Sequence, residues 1–523
     1  MKRILSLCIC LALAATMLLS GSIALAEGTT TPTRGGTLIA AETLKWSTFC
    51  PPKTTNRQGD LHILMQIYEP LIRSDESGNL SPCLALTWES SDNGQTITMK
   101  LRDDVFFHDG TKFNAEAVKY VMDWYRTPDL NPIFANEIAE LESVEVVEEY
   151  VVRFRLSAPS STFLSALAEY AGLMISPTAI ETYGVDALST TVTCGTGPFI
   201  LKEAVEGDHV TLARNEQYYL MGEDGQPLPY LDEVIIKIIP DDTVKATNIL
   251  SGDIQLCNTL NISSQYMLAT AEDAELFQAP SGQVYDMMFN MNLEKWQNPL
   301  VRQAFSHAIN KQEIVDALAK DVGYLTPFFV GTSQWFYSDY EPYPYNPELA
   351  REKLAEAGYP NGEGMFKITL TNIAREPDNT LVQLIQAQLK EVLNVDVEIQ
   401  TLDRLAWVDL WRNTNECDMG CAIITIPRVD PFTQYNVLGR GMSTNYPHYN
   451  SDAYNETLAK VKSSYDASEQ LEYLHAAQKI ALDDCPFVTL YCNPEIHAKS
   501  NSLHDVALGK EGYWVLRDAW LEQ

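Results

Sequence analysis

Leu101-Arg102-Asp103-Asp104-Val105-Phe106-Phe107-His108-Asp109-Gly110-Thr111, followed closely by Asn114-Ala115-Glu116-Ala117-Val118, is the most informative stretch of this 523-residue chain. Just ahead of it, Ile97, Met99 and Leu101 alternate with Thr96, Thr98, Lys100 and Arg102, which predicts a strand over 95–102 with one buried face. His108-Asp109-Gly110 then supplies a turn, because glycine suits a tight reversal and aspartate bonds its own backbone there. Asn114 caps a helix whose apolar stripe, Val118, Val121, Met122 and Tyr125, keeps the 3.6-residue period. Val152, Phe154 and Leu156 alternate again as a strand.

Toward the C-terminus, Asn298-Pro299 gives a cap and a first-turn proline before Val301, Ala304, Phe305, Ala308 and Ile309. Asn346-Pro347 repeats the device, and Gly358 ends its helix. Between Phe366 and Gln400 the order is strand (Phe366, Ile368, Leu370), helix (Leu381, Ile385, Leu389, Val392), strand (Val395, Val397, Ile399). That order implies an α/β lobe with a largely parallel sheet. No repeat of fixed period is visible.

Toward the N-terminus, Lys2 and Arg3 precede an apolar run to Leu19, and Ala24-Leu25-Ala26 stands before Glu27. This pattern reads as a signal peptide, 1–26, cleaved after Ala26, since the apolar run is shorter than a membrane span. Cys8 and Cys10 lie too early, and Cys50 too late, for a lipid-anchoring cysteine, so a free periplasmic or extracytoplasmic protein is expected. The mature chain of 497 residues has room for two to four domains. Loss of Lys2 and Arg3 takes its net charge from −33 to −35, which disfavours nucleic acid and anionic membrane surfaces as partners. Eight cysteines remain, and export permits pairing, so they are read as buried thiols or one or two disulfides.

Catalytic signatures are missing. There is no Gly-x-Ser-x-Gly, no His-Glu-x-x-His and no Gly-x-x-x-x-Gly-Lys. Gly195-Thr196-Gly197-Pro198 reads as a turn, because Pro198 and the lack of a following glycine defeat a dinucleotide loop. No two histidines stand four apart, and Cys417 and Cys421 have no second ligand pair nearby, so no metal and no cofactor is expected. Paired acids such as Asp103-Asp104 are unremarkable among 70 acidic residues.

A collinear series of segments does stand out. Tyr68-Glu69-Pro70-Leu71, Pro82 with Leu84-Ala85-Leu86-Thr87-Trp88-Glu89, the opening stretch, Gly195-Thr196-Gly197-Pro198-Phe199, Arg214-Asn215 with Tyr218, Ser251-Gly252-Asp253-Ile254, Val301-Arg302-Gln303-Ala304 and Glu356-Ala357-Gly358-Tyr359-Pro360 together resemble the family 5 solute-binding proteins, the peptide and nickel class of ABC transporter receptors. The resemblance spans nearly the whole mature chain. It implies an α/β, two-lobed periplasmic-binding-protein-like fold with hinged lobes, a discontinuous first lobe and an extra inserted domain. Here that means 27–65, 190–285 and 490–523 for lobe I, 66–189 for the insertion and 286–489 for lobe II. It also implies a function: capture of a short peptide or peptide-like organic solute between the lobes, and delivery to ABC permease subunits by a monomeric receptor that is not an enzyme. An oligosaccharide or opine-like anionic conjugate is the alternative solute, and a secreted hydrolase the alternative of another class. His108 and Arg302 are read as structural, Arg302 through a salt bridge or carbonyl contacts.

By the same resemblance, peptide-binding relatives carry an Asp-Tyr-x-Asp/Glu-Pro pattern whose first Asp pairs with the peptide's α-amino group. Asp430-Pro431 matches its end, but Pro427 and Arg428 replace the Asp and the Tyr. A guanidinium there favours an anionic or acceptor-rich group. Trp407 stands where the family tends to place an aromatic pocket wall, with a core tryptophan as the competing reading. Tyr285, Met287 and Asn290 lie on the strand near the expected crossover. The expected ligand-binding set is therefore Trp407, Arg428, Asp430, Tyr285 and Asn290.

Overall fold

The computed structural model describes residues 31–522, apart from 56, 76–77, 321, 427–429 and 465. The expected signal peptide and the Pro427-Arg428 pair thus lie outside the described residues.

Ten strands form one sheet, in the spatial order Val397–Leu402, Ile368–Ile373, Met419–Ile426, Ala274–Phe289, Phe487–Ser500, Leu256–Cys257, Thr37–Glu42, Glu233–Ile238, His209–Arg214 and Phe199–Val205. The two longest strands, Ala274–Phe289 and Phe487–Ser500, pair antiparallel from Ala274↔Ser500 to Met288↔Phe487 and carry the sheet from one half of the molecule to the other. Their pairing slips at two places, between Gln278 and Gly282 and between Tyr285 and Asp286. On one side of this pair the major core combines Leu38, Ile236 and Leu256 with the C-terminal Leu503, Trp514 and Leu516. On the other side two cores are built from residues 284–492. The architecture is mixed α/β and two-lobed.

The expected elements form where their patterning places them. Thr96–Leu101 is a strand of a separate four-stranded antiparallel sheet, in the order Ala85–Ser91, Thr96–Leu101, Val151–Leu156, Leu141–Glu148. Helix Ala115–Tyr125 packs on that sheet through its buried Val118, Val121, Met122 and Tyr125, and Asn114 Oδ1 accepts from the Ala117 N–H at 3.0 Å. In the second half, Asn298 and Asn346 cap Pro299–Ala308 and Pro347–Glu356 by accepting from Leu300 N (3.0 Å) and Leu349 N (3.1 Å). Ile368–Ile373 runs parallel to both Val397–Leu402 and Met419–Ile426, with helix Asp378–Leu393 connecting the first two.

The motif residues meet one another inside the first half. Glu69 is buried and accepts from Arg73 Nη2 (2.6 Å), Tyr218 OH (2.7 Å), Tyr219 OH (3.0 Å) and Thr196 Oγ1 (3.2 Å), so two distant segments and the neighbouring Arg73 converge on one carboxylate. Gly195 and Gly197 lie against the end of helix Arg57–Ile67, where a Cβ on Gly195 would stand 2.1 Å from the Ile67 carbonyl oxygen. His108 clasps the same turn: its N–H donates to Gly195 O (2.9 Å) and its Nε2 lies 3.0 Å from Gly197 O. Burial pushes the His108 imidazole down to about 4, as suits a neutral packing residue. Arg302 donates from Nε to Cys485 O (3.0 Å), from Nη2 to Asp484 O (2.7 Å) and from Nη1 to Trp296 O, which gives the carbonyl contacts expected of it. The eight cysteines among the described residues are buried free thiols, the first of the two alternatives left open by the sequence.

Candidate functional site

Strand Thr37–Glu42 is parallel to both its neighbours, Glu233–Ile238 and Leu256–Cys257, so these three strands end on the same edge. Ligands of open α/β sheets gather outside the carboxyl ends of parallel strands. Here that edge is formed by Glu42, Thr43 and Leu44 from the first strand and by Asn258, Thr259 and Leu260 from the last. Facing them are Thr425, near the end of Met419–Ile426, and the segments Gly282–Gln283 and Asn493–Ile496 of the two long strands, at the first slip in their pairing. The partly open cavity measures about 240 Å³. Gly282 permits the close approach, because a Cβ there would lie 3.1 Å from both Asn493 O and Cys492 Sγ.

The floor is held by a buried cation. Lys245 Nζ donates to Thr43 Oγ1 (2.6 Å), to Asn258 O (2.7 Å) and to Thr259 O, and pairs with Asp242 at 3.1 Å. Its three donors therefore fix both wall segments. Glu42 is 1% exposed. Its Oε1 accepts from Asn258 Nδ2 (2.6 Å) and Leu44 N (3.2 Å), whereas Oε2 has no hydrogen bond and stands 3.3 Å from His62 Nε2. Burial pushes the Glu42 carboxyl up to about 8. His62 accepts the Trp514 N–H on Nδ1 at 3.3 Å, and burial, helped by the neighbouring His497, pushes it down to about 3. Both partners are accordingly mostly uncharged at neutral pH. Glu495 Oε1 receives Thr259 Oγ1 and lies 3.3 Å from His497 Nε2. The ionisable residues among the described lining are thus two carboxyls, Glu42 and Glu495.

None of the described residues expected from sequence lines this cavity. Tyr285 is buried and stacked on Tyr491 (4.7 Å, 3°), and its hydroxyl donates to Gln283 Oε1 at 3.3 Å, so it steadies a lining residue. Asp430 is buried, caps helix Pro431–Tyr435 by accepting from Thr433 N at 2.6 Å, and faces the Thr162 hydroxyl of the opposite half. Trp407 is packed in a core against Trp411 and Tyr446. Met287 is fully buried. Asn290 is fully buried at the far end of its strand, where Nδ2 donates to Cys417 O at 2.9 Å; seven residues of strand separate it from Gln283, about 23 Å. Arg428 lies outside the described residues.

Glu42, Asn258, Gln283, Asn493 and Glu495 were not singled out by sequence. One signal was available for Glu42: an acid closing the apolar run Leu38-Ile39-Ala40-Ala41 marks the carboxyl end of a buried strand. A larger groove of about 630 Å³ runs along helix Ala115–Tyr125, but residues 111–127 and 177–178 line it alone, so movement of the two halves does not enclose it.

A cavity made jointly by two halves and the strands crossing between them is the geometry of a hinged receptor. The model of a family described as bacterial extracellular solute-binding proteins, family 5, middle, matches residues 79–446. The chain belongs to this family. Family 5 proteins are solute-binding receptors that serve ABC importers, and this chain has that role. The glutathione-binding protein GsiB of Salmonella typhimurium is 28% identical over 477 residues, which cover 87% of this chain and 88% of GsiB. Among solved structures, the ABC transporter-associated periplasmic binding protein DppA of Helicobacter pylori, in complex with the peptide STSA, is 25% identical with a TM-score of 0.73, covering 94% of this chain and 99% of DppA. The ABC transporter substrate binding protein CtaP of Listeria monocytogenes is 22% identical with a TM-score of 0.83, covering 94% of this chain and all of CtaP, and shows the shared fold. Family 5 is a family of binding proteins that work outside the cytoplasm, and among the described residues no helix is long and apolar enough to cross a membrane.

Proposed function

We propose that this family 5 receptor captures a short peptide or peptide-like organic solute in the cavity between Glu42–Leu44, Asn258–Leu260, Thr425 and the two crossing strands, and hands it unaltered to its permease. The observation that carries the reading is the placement of that cavity at the slipped pairing of the only long strands common to both halves among the described residues. A volume of about 240 Å³, just below the usual range for small-molecule pockets, suits a small solute better than a long peptide. Glutathione, named for GsiB, and the tetrapeptide seen with DppA are both peptide-like. The lobes divide at the limits given above, with 66–189 as the insertion, and hinge where the strands slip. Closure also brings helix Ser161–Ala166 against Pro431–Tyr435 and Asp452–Ser463, with Ser161 Oγ donating to Val461 O (3.4 Å), and pairs Lys462 with Glu140 beside strand Leu141–Glu148. The receptor acts as an exported monomer, begins at Glu27 without a lipid, and performs no catalysis.

Native mass spectrometry of the freshly purified mature protein tests the proposal. One bound organic solute, released unchanged on unfolding, is expected. A protein that never retains a solute, or that steadily releases a cleaved one, overturns it.

A further inference from the structure

We infer that Thr259 is a solute contact of the interlobe cavity: its backbone N–H donates to an amide carbonyl oxygen of the solute, and Lys245 is the positioning residue that aims it. The inference rests on the proposed capture reading and adds to it one ligand group and the residue that reads it.

Thr259 is the exposed residue of its wall, between Asn258 and Leu260, each 4% exposed, and it lines the cavity. It is β-branched yet holds φ at +32°, in the left-handed region that such residues rarely enter. Strain of this kind persists only where the surroundings over-determine it, and it gathers at ligand clamps. Here the surroundings are explicit. Lys245 Nζ donates to the carbonyls of both Asn258 (2.7 Å) and Thr259, Gln265 Nε2 donates to Leu260 O (2.7 Å), and Asp242 Oδ2 accepts from Asn261 N (2.8 Å). The Thr259 hydroxyl is tied to Glu495 Oε1 on the long strand Phe487–Ser500.

The direction of the amide follows from the peptide plane, because in a trans unit the C=O and the N–H point in opposite directions. With the Asn258 and Thr259 carbonyls both turned down to Lys245, the N–H groups of Thr259 and Leu260 turn away from it. Leu260 N–H meets Ile496 O, itself a lining residue, at 2.9 Å. Thr259 N–H meets no acceptor among the described residues. It is thus a backbone donor held away from the floor at the exposed point of the wall, and an acceptor oxygen of the solute completes it. A solute carboxylate would be brought up against Glu495, whose own carboxylate takes the Thr259 hydroxyl, whereas a neutral carbonyl carries no charge to be repelled. An amide carbonyl, the acceptor that a peptide-like solute repeats along its length, is the group that fits.

The test uses the full-length mature protein with isotope-labelled threonine, unfolded and refolded to remove endogenous solute. The di- or tripeptide retained from an equimolar panel in native mass spectrometry is the probe. The Thr259 amide resonance, identified by its loss in Thr259→Ser, should move downfield and exchange more slowly with water when the probe binds. Remaking the probe with a thioamide, a poorer acceptor, at each peptide carbonyl in turn should abolish that shift at one position and weaken binding there about tenfold, the scale of one hydrogen bond. Lys245→Met should also bind the probe about tenfold more weakly and, at saturating probe, leave the Thr259 amide where it stands without probe. A merely structural lysine would lower the melting temperature and leave the shift intact, which overturns the positioning role. Tight binding with an unmoved Thr259 amide in the wild type removes the inference and leaves the receptor reading standing, whether or not Lys245→Met folds. A shift lost only when the probe's C-terminal carboxylate is amidated assigns the contact to a carboxylate and overturns the carbonyl. Capture of no panel member by the wild type removes the peptide-like reading and this inference with it.

Discussion

Glu42 and Asp286 are both buried carboxyls pushed up to about 8 by loss of solvent, and their effect on stability has a definite sign. In each the folded value exceeds the ordinary one (4.5 and 3.8), so the fold binds more protons than the unfolded chain. Stability therefore falls as pH rises from about 4 to about 8 and is level above. In solute-free protein, Glu42→Gln and Asp286→Asn should each gain about 1 kcal/mol or more at pH 8 to 9 and nothing at pH 4, as measured by urea unfolding. Arg428 lies outside the described residues, and from the sequence alone it is expected to offer a planar fork to an acceptor-rich end of the solute. Arg428→Ala should weaken binding of the extracted solute about ten- to hundredfold in calorimetry, and Arg428→Lys should restore only part of it. At this scale the structural residues were legible: His108 and Arg302 could be read as fold-holding from their motif and helix. Glu42 was not, because one acid among 70 becomes distinctive only when the backbone removes it from water and seats it beside His62.

Helix caps and alternating strands were legible element by element, since Asn114, Asn298 and Asn346 act on backbone a few residues away. The Gly195-Thr196-Gly197-Pro198 turn was recognised, but its purpose depends on a helix end more than a hundred residues earlier. Gly195→Ala would put a Cβ 2.1 Å from Ile67 O and 2.6 Å from the Tyr68 ring, and should cost about 2–3 kcal/mol. Gly207→Ala, where φ is +75° and no atom lies within 4 Å, should cost only about 1 kcal/mol. Denaturant titration of the two variants checks the contrast. The slip between Gln278 and Gly282 left no local trace, because it is a property of two strands over two hundred residues apart in sequence.

For the molecule as a whole, the two-lobed α/β fold followed from collinear motifs, whereas the cavity did not, because its walls come from five separated segments. The eight thiols report on both halves at once. Burial pushes Cys50, Cys83, Cys194, Cys257, Cys485 and Cys492 up to about 12 and Cys417 to about 11, so none is a ready nucleophile. A chromogenic disulfide reagent should find almost no reactive thiol in the native mature protein and eight after unfolding without reductant. Fewer than eight would mean that disulfides form on export. The central claim, that solute is held where the two halves and their crossing strands meet, is tested most directly by hydrogen exchange of the mature protein with and without its extracted solute. Slowed exchange concentrated at 42–44, 258–260, 282–283 and 493–496 is the predicted result. Protection confined to the groove along Ala115–Tyr125, with those four segments unchanged, would contradict it.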